Sequence, residues 1–279
     1  MASSRLNITY GQPGRLLNPA SGYLTGYTHT LNPYGGCAFA CTFCYVRRLP
    51  VALFRQEEWG TWVHVKENAP QMLQKELQRA KQKGKVTIFM SSSTDPYQPL
   101  EGQIELSRRL LEVMVRNKPD FLFVQTRSPL ITRDMELLLE LKDRLCISIT
   151  IETDLEQVRK TLSPAAPPLA ARLKALTTLK QAGLPVQAAV SPILPYSELF
   201  AKRLKEVVDW VCLDDFFRGD GARGKRTEKL GIKSLYHQLD YADWYSPDKF
   251  DETYSIFKDV FGEQRVLTSQ QGFMPFLRV

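Results

Sequence analysis

From residue 71 to residue 217 the chain switches repeatedly between two hydrophobic periods, and that alternation limits the folds open to it. Leu73, Leu77 and Ala80 recur at helical spacing, with Gly84 as a stop. Val86 to Met90 is then a short apolar run of strand type. Leu106, Leu110 and Met114 form a second helical stripe, Phe121 to Val124 a second strand, and Met135 to Leu141 a third helix. Ile147, Ile149 and Ile151 alternate with Ser148, Thr150 and Glu152 in a clean period of two. Leu169 to Ala182 reads as a helix closed by Gly183 and Pro185, followed by strands at Val186 to Val190 and Trp210 to Leu213. Tyr27 to Leu31 supplies a strand ahead of the series, and Arg265 to Thr268 a candidate seventh.

Strands separated by helices of this length build βαβ units and a parallel sheet. The expected fold is therefore α/β, a partial (β/α)6 TIM-type barrel with a C-terminal extension. Its expected divisions are an N-terminal segment (1–26), the barrel (27–217) and an extension covering the barrel (218–279). The 279 residues suit one large domain or two small ones. The outer face of a barrel strand lies under helices, which suits the three isoleucines. Ser148, Thr150 and Glu152 then point into the lumen, and a polar lumen implies a partly open barrel that holds a ligand. The alternative is an edge strand with its polar face in water.

Three cysteines sit within eight residues directly after the first strand, Cys37-Ala-Phe-Ala-Cys41-Thr-Phe-Cys44, preceded by Gly35 and Gly36. In parallel α/β folds ligands bind at the carboxyl ends of strands, and the glycines let the loop backbone approach a bulky ligand. Thiolates ligate zinc and iron–sulfur clusters alike, but both have four positions to fill. Three ligands imply a centre with one open position. The competing reading is a zinc site completed by His29, His64, Cys146 or Cys212, in a zinc-stabilised nucleic-acid-binding protein. Phe39 and Phe43 would shield the centre from water.

Cys-x3-Cys-x2-Cys with an aromatic residue before the third cysteine resembles the radical S-adenosylmethionine (SAM) superfamily. Ser91 to Pro99, Gln125 to Asp134 and Ser148 to Glu152 extend the likeness over about residues 25 to 217, to the subgroup related to spore photoproduct lyase, often labelled DNA repair photolyase-like. The resemblance implies that Cys37, Cys41 and Cys44 hold three irons of a [4Fe–4S] cluster and that SAM chelates the fourth. Reduction then cleaves SAM to methionine and a 5′-deoxyadenosyl radical, which abstracts hydrogen from substrate. It also implies SAM contacts at Thr94 and Asp95, where the second strand ends. Arg127 stands where a lysine meets the SAM carboxylate, Ser148 stands at a serine position near SAM, and Glu152 is a candidate for the ribose hydroxyls. Tyr45 is the catalytic candidate.

Two departures bear on the reaction. Where the spore enzyme has a cysteine that returns hydrogen to the substrate radical, this chain has Ser92, and a hydroxyl is a far poorer hydrogen-atom donor. Where the spore enzyme has tyrosine on both sides of its third cysteine, this chain has Phe43 and only Tyr45. The substrate expectation is accordingly divided between a nucleic-acid lesion and a small molecule or protein. Net charge of +7 points to an anionic partner. Arg218 to Arg226, basic and glycine-rich, reads either as a phosphate clamp or cover for the barrel mouth, or as a solvated loop. Tyr236, Tyr241, Trp244 and Tyr245 beside it read as base-stacking residues or ordinary core-edge aromatics. Phe250, Tyr254 and Phe257 form a core-facing helical stripe.

Five cysteines, odd in number and clustered, do not read as a disulfide framework. The N-terminus shows no apolar signal region, and no apolar run nears the ~18 residues of a membrane span. The expected compartment is the cytoplasm, with no membrane partner, the chain a monomer, and a flavodoxin or ferredoxin-type electron donor implied by the resemblance.

Overall fold

Each lumen-facing strand residue has outward-facing neighbours, and the two sets pack into different cores. The structure, a computed structural model, describes residues 6–276. The first five residues of the expected N-terminal segment and the last three of the extension lie outside the described residues. The main sheet has eight strands: β2 (Leu17–Pro19), β3 (His29–Leu31), β6 (Thr87–Met90), β7 (Phe121–Thr126), β8 (Leu145–Thr150), β9 (Val186–Val190), β10 (Val211–Leu213) and β11 (Val266–Thr268). Their order is β11-β10-β9-β8-β7-β6-β3-β2. All pairs are parallel except β2 with β3.

Outward, Ile88, Leu122, Val124, Ile147, Ile149 and Ala188 join one large core beneath the helices. Helix Ala69–Lys83 buries Leu73 and Leu77 there and stops at Gly84 (φ +141°). Helix Leu106–Arg116 buries Leu106, Leu110, Leu111 and Met114. Inward, Tyr27, Phe89, Phe123 and Phe273 form an aromatic plug. The Phe89 and Phe123 rings stack at 5.0 Å, and Tyr27 meets Phe89 edge-on at 5.3 Å. Such pairs add about 0.5–1.5 kcal/mol each beyond their burial. The polar lumen expected from Ser148 and its neighbours is thus only the upper half of the lumen.

The barrel is open. Among the described residues β2 and β11 are the two edges of the sheet, with no strand pairing between them. Side chains bridge the gap: Gln270 Nε2 donates to Tyr23 O (2.8 Å), Tyr23 hydroxyl donates to Asp214 Oδ2 (3.2 Å), and the Tyr23 and Phe273 rings lie 6.0 Å apart.

The segment after residue 217 divides. Helix Asp248–Phe261 buries Phe250, Phe257 and Phe261 on the outer core, and β11 then adds to the sheet. Among the segment's described residues, the stretch around 219–227 and Phe273 line the barrel cavity. A separate sheet of β1 (Asn7–Gly11), β5 (Trp62–Lys66) and β4 (Tyr34–Gly35), in the order β1-β5-β4, lies beside the cysteine loop. No strand is expected from the sequence at 7–11 or 62–66, and β1 pairs with β5 across some fifty residues of chain.

Candidate active site

The cysteine loop leaves β3 through β4 and is shaped by two close approaches. Gly36 has φ +75°, and a Cβ there would lie 2.5 Å from Trp62 O. Ala40 also takes a left-handed conformation (φ +49°), and a Cβ on Gly60 would meet its Cβ at 2.3 Å. Two tight turns, Ala40 N–H to Cys37 O (3.2 Å) and Cys44 N–H to Cys41 O (3.2 Å), bring the three thiols to one cavity. Phe39 and Phe43 are buried beside Cys41 with Phe216 and Tyr236. Burial pushes all three thiols up, Cys41 to about 11 although Arg127 opposes the shift. A bound metal reverses this, because its ligands bind as thiolates.

The cavity has a volume of about 670 Å³, within the ordinary range for a ligand site. It extends from the cysteines over the carboxyl ends of β6, β7, β8, β9 and β10. Three buried polar atoms on its wall have no hydrogen-bond partner among the described residues: Ser91 Oγ, Thr94 Oγ1 and Gln125 Oε1. An unmet buried polar atom costs about 1–3 kcal/mol, so three around one cavity call for a polar ligand. Among the described residues no three His, Cys, Asp or Glu side chains are placed to hold a single metal ion. A cluster distributes its thiolates over separate irons, so three thiols beside orphaned hydroxyls fit a cluster with a polar co-ligand. The other residues weighed for a zinc site stand elsewhere. His64 Nδ1 pairs with Thr9 Oγ1 (3.0 Å) and His29 Nδ1 with Thr28 Oγ1 (2.8 Å). Cys146 and Cys212 are buried with the aromatic plug.

Thr94, Asp95, Arg127 and Tyr45 all line the cavity with the cysteines. Asp95 is saturated by the chain itself: its carboxylate accepts from Thr126 Oγ1 (2.7 Å), Arg127 N–H (2.8 Å) and Tyr97 N–H (2.9 Å). It ties the end of β6 to the end of β7, and burial raises its pKa. Arg127 lies over the Phe43 ring at 5.8 Å. Tyr45 donates to Ser92 O (3.2 Å), and burial raises its phenol to about 12.

Two expected contacts do not reach the cavity. Ser148 is fully buried one step below it, where its hydroxyl accepts from Gln187 Nε2 (3.1 Å). Glu152 is also fully buried, with one oxygen on Arg127 Nη1 (3.0 Å) and the other on Arg172 Nη1 (2.7 Å). Burial alone would raise its pKa, but Arg172 and Arg127 hold its carboxyl below the usual range. Glu152 therefore holds Arg127 rather than a ribose.

The sequence reading missed Asn32 and Asp214. Asn32 follows β3 directly; its Oδ1 accepts from Ser92 N–H (3.0 Å) and Ser93 N–H (3.1 Å), and its Nδ2 donates to Ser92 Oγ (3.2 Å). Asp214 follows β10 directly and lines the far wall; its Oδ1 accepts from Ser269 Oγ (2.8 Å), and burial raises its pKa to about 7. The signal for both was a polar residue immediately past a strand. The basic loop is not free at the mouth. Asp220 gathers the N–H groups of Ala222 (2.6 Å), Gly224 (3.0 Å) and Arg226 (2.9 Å), which directs Arg226 to the cavity rim.

Residues 31–211 match the model of the Radical SAM superfamily. An uncharacterized protein of Methanocaldococcus jannaschii is 32% identical over 193 residues, covering 69% of this chain and 70% of that protein. One from Acidianus two-tailed virus is 36% identical over 167 residues (57% and 54%), and one from Mycobacterium tuberculosis 28% over 173 residues (61% and 50%). The match thus spans about half the length of the latter two. Among solved structures, a spore photoproduct lyase mutant with dinucleoside spore photoproduct covers 94% of this chain and 81% of its own, with a TM-score of 0.66 at 14% identity. At that identity the likeness is one of fold.

Proposed function

The chain belongs to the radical SAM superfamily, and we propose that it holds a [4Fe–4S] cluster on Cys37, Cys41 and Cys44 and uses SAM to abstract hydrogen from a substrate bound in the same cavity. It is an enzyme of the radical SAM type, a class that requires an iron–sulfur cluster, SAM and a reductant. When bound, the cluster supplies the electron that cleaves SAM to methionine and a 5′-deoxyadenosyl radical.

The observation that carries this reading is three thiols, one arginine and three unpartnered polar atoms around one cavity. Arg127, gripped by Glu152, presents a fixed guanidinium suited to a carboxylate. Thr94 Oγ1 and Gln125 Oε1 are free to accept from an ammonium or hydroxyl. Phe43 and Phe216, with rings 6.0 Å apart, pack beside Cys41, the buried one of the three cysteines. The far wall at Tyr23 and Asp214 is left for substrate. A nucleic-acid lesion as substrate is supported by the net charge of +7 and by Arg226 at the rim. A small molecule or protein is the second reading, favoured by Ser92: among the described residues no fourth cysteine lines the cavity to return a hydrogen atom. We assign the catalytic unit to 27–217 and cover of the mouth to part of 218–279. A monomer in the cytoplasm, reduced by a flavodoxin or ferredoxin, completes the proposal.

The test is anaerobic reconstitution with iron and sulfide, then dithionite and SAM. About four irons per chain and formation of 5′-deoxyadenosine are expected. A reconstituted chain that bound no iron would overturn the reading. The salt dependence of binding to single-stranded DNA separates the substrate readings, since phosphate contacts give a steep negative slope.

A further inference from the structure

Arg47 is the third residue after Cys44, and it braces the cysteine loop from behind. Its Nε donates to Cys41 O (3.0 Å) and its Nη2 to Ala40 O (2.7 Å), while its backbone N–H donates to Cys44 O (3.0 Å). One residue thus grips the loop at the second cysteine, at the residue before it, and at the third cysteine. The grip falls where the loop needs it. Ala40 is left-handed (φ +49°), a conformation that costs an L-residue about 1–2 kcal/mol and persists only if its surroundings hold it. Gly60 presses on Ala40 from one side, and the guanidinium holds its carbonyl.

The brace is also charged. Both side-chain hydrogen bonds go to main-chain carbonyls rather than to carboxylates, so the positive charge is not neutralised by them. Half-buried, it is screened less than a surface charge. The next residue provides the contrast: Arg48, also half-buried, leaves the cysteine loop and donates to Lys229 O (2.8 Å).

We propose that Arg47 is a positioning residue for the cysteine loop and that its charge raises the reduction potential of the cluster the loop holds. Cluster potentials respond to nearby charge, to hydrogen bonding and to exposure. A cation beside the loop favours the reduced, more negative state, which makes the electron for SAM cleavage easier to load. This rests on the reading of Cys37, Cys41 and Cys44 as cluster ligands.

The test compares reconstituted wild type, Arg47→Gln, Arg47→Lys, Arg48→Gln and Cys41→Ala without SAM. The readouts are irons per chain, the rate of iron release to a chelator, and the midpoint potential from a dye-mediated titration followed by electron paramagnetic resonance. Arg47→Gln is expected to shift the midpoint to a more negative value and to release iron faster. Arg47→Lys keeps the charge and loses the planar fork, so it should hold a potential near wild type while releasing iron faster. Arg48→Gln should shift the potential less than Arg47→Gln. Equal shifts in Arg47→Gln and Arg48→Gln, or none in either, overturn the role of the charge. If Arg47→Gln holds no cluster, Arg47→Lys decides: faster release at a wild-type potential supports the proposal, and a wild-type release rate overturns the positioning role. Failure of the underlying reading looks different, with Cys41→Ala then binding as much iron as wild type.

Discussion

The two ends of the barrel lumen come from the same strands, one side-chain repeat apart, and have opposite chemistry. Along β6 and just past it the lumen residues run from Phe89 to Ser91, on β7 from Phe123 to Gln125, and along β10 and just past it from Cys212 to Asp214. Below lies an aromatic plug, of which Phe89 and Phe273 form the floor of the cavity; above, the cavity wall carries unmet hydrogen-bonding groups. A strand keeps every second residue on one face, so a change of polarity along that face divides one lumen into a part that stabilises and a part that binds. The cavity can then carry unpaired groups at a cost that the plug and the outer core offset.

The largest test of this division is Cys41→Ala. SAM cleavage should fall to background in a 5′-deoxyadenosine assay, while stability to urea changes by about 1 kcal/mol, the scale of one deleted buried heavy atom. Phe123→Ala should do the reverse. Its ring is fully buried against Phe89 and Phe273, so about 3–5 kcal/mol of stability should be lost while SAM cleavage per folded molecule is retained. Loss of catalysis at full folding in that variant would break the comparison.

Asp214 is an ionisable group on the far wall of the cavity. Burial raises its pKa from 3.8 to about 7, so between those values the folded chain holds the proton and the unfolded chain has lost it. The sign is therefore destabilising as pH rises: its contribution is most favourable below about pH 4 and is lost by about pH 7. Asp214→Asn should gain on wild type across that window and level off above it, by a few kcal/mol on the order of the linkage value. Parallel urea titrations at pH 5 and pH 8 give the difference, and a gain equal at both pH values would refute the assignment. The smallest effect is expected of Thr94→Ala. Its hydroxyl has no partner among the described residues, so stability should hold or rise slightly, while SAM affinity of the reconstituted protein, measured by calorimetry, weakens by about 1 kcal/mol, roughly fivefold.

The strands of the main sheet were legible because their period shows within five or six residues. The expected runs Val86 to Met90, Phe121 to Val124 and Val186 to Val190 fall on β6, β7 and β9. The small sheet was not legible, since what makes β1 a strand is β5, across some fifty residues. The site divides the same way. Cys37, Cys41 and Cys44 declare themselves by spacing. Ser148 and Glu152 are buried off the cavity, where Gln187 and Arg172 take up their polar atoms, and neither partner is a near neighbour in sequence. Asn32 and Asp214 carried a local sign that went unread, a polar side chain just past a strand.

By itself the sequence determined the alternation of strand and helix and the three thiols on one strand-exit loop, because these depend on residues within a few positions of one another. Tertiary structure alone decided which polar groups face the cavity unpaired and which are consumed. Thr94 is left open, Glu152 is closed by two arginines, and Arg47 is turned onto the loop while Arg48 is turned away. Whether a polar atom is free depends on what the folded chain brings within about 3 Å of it, and most of those partners come from distant parts of the chain.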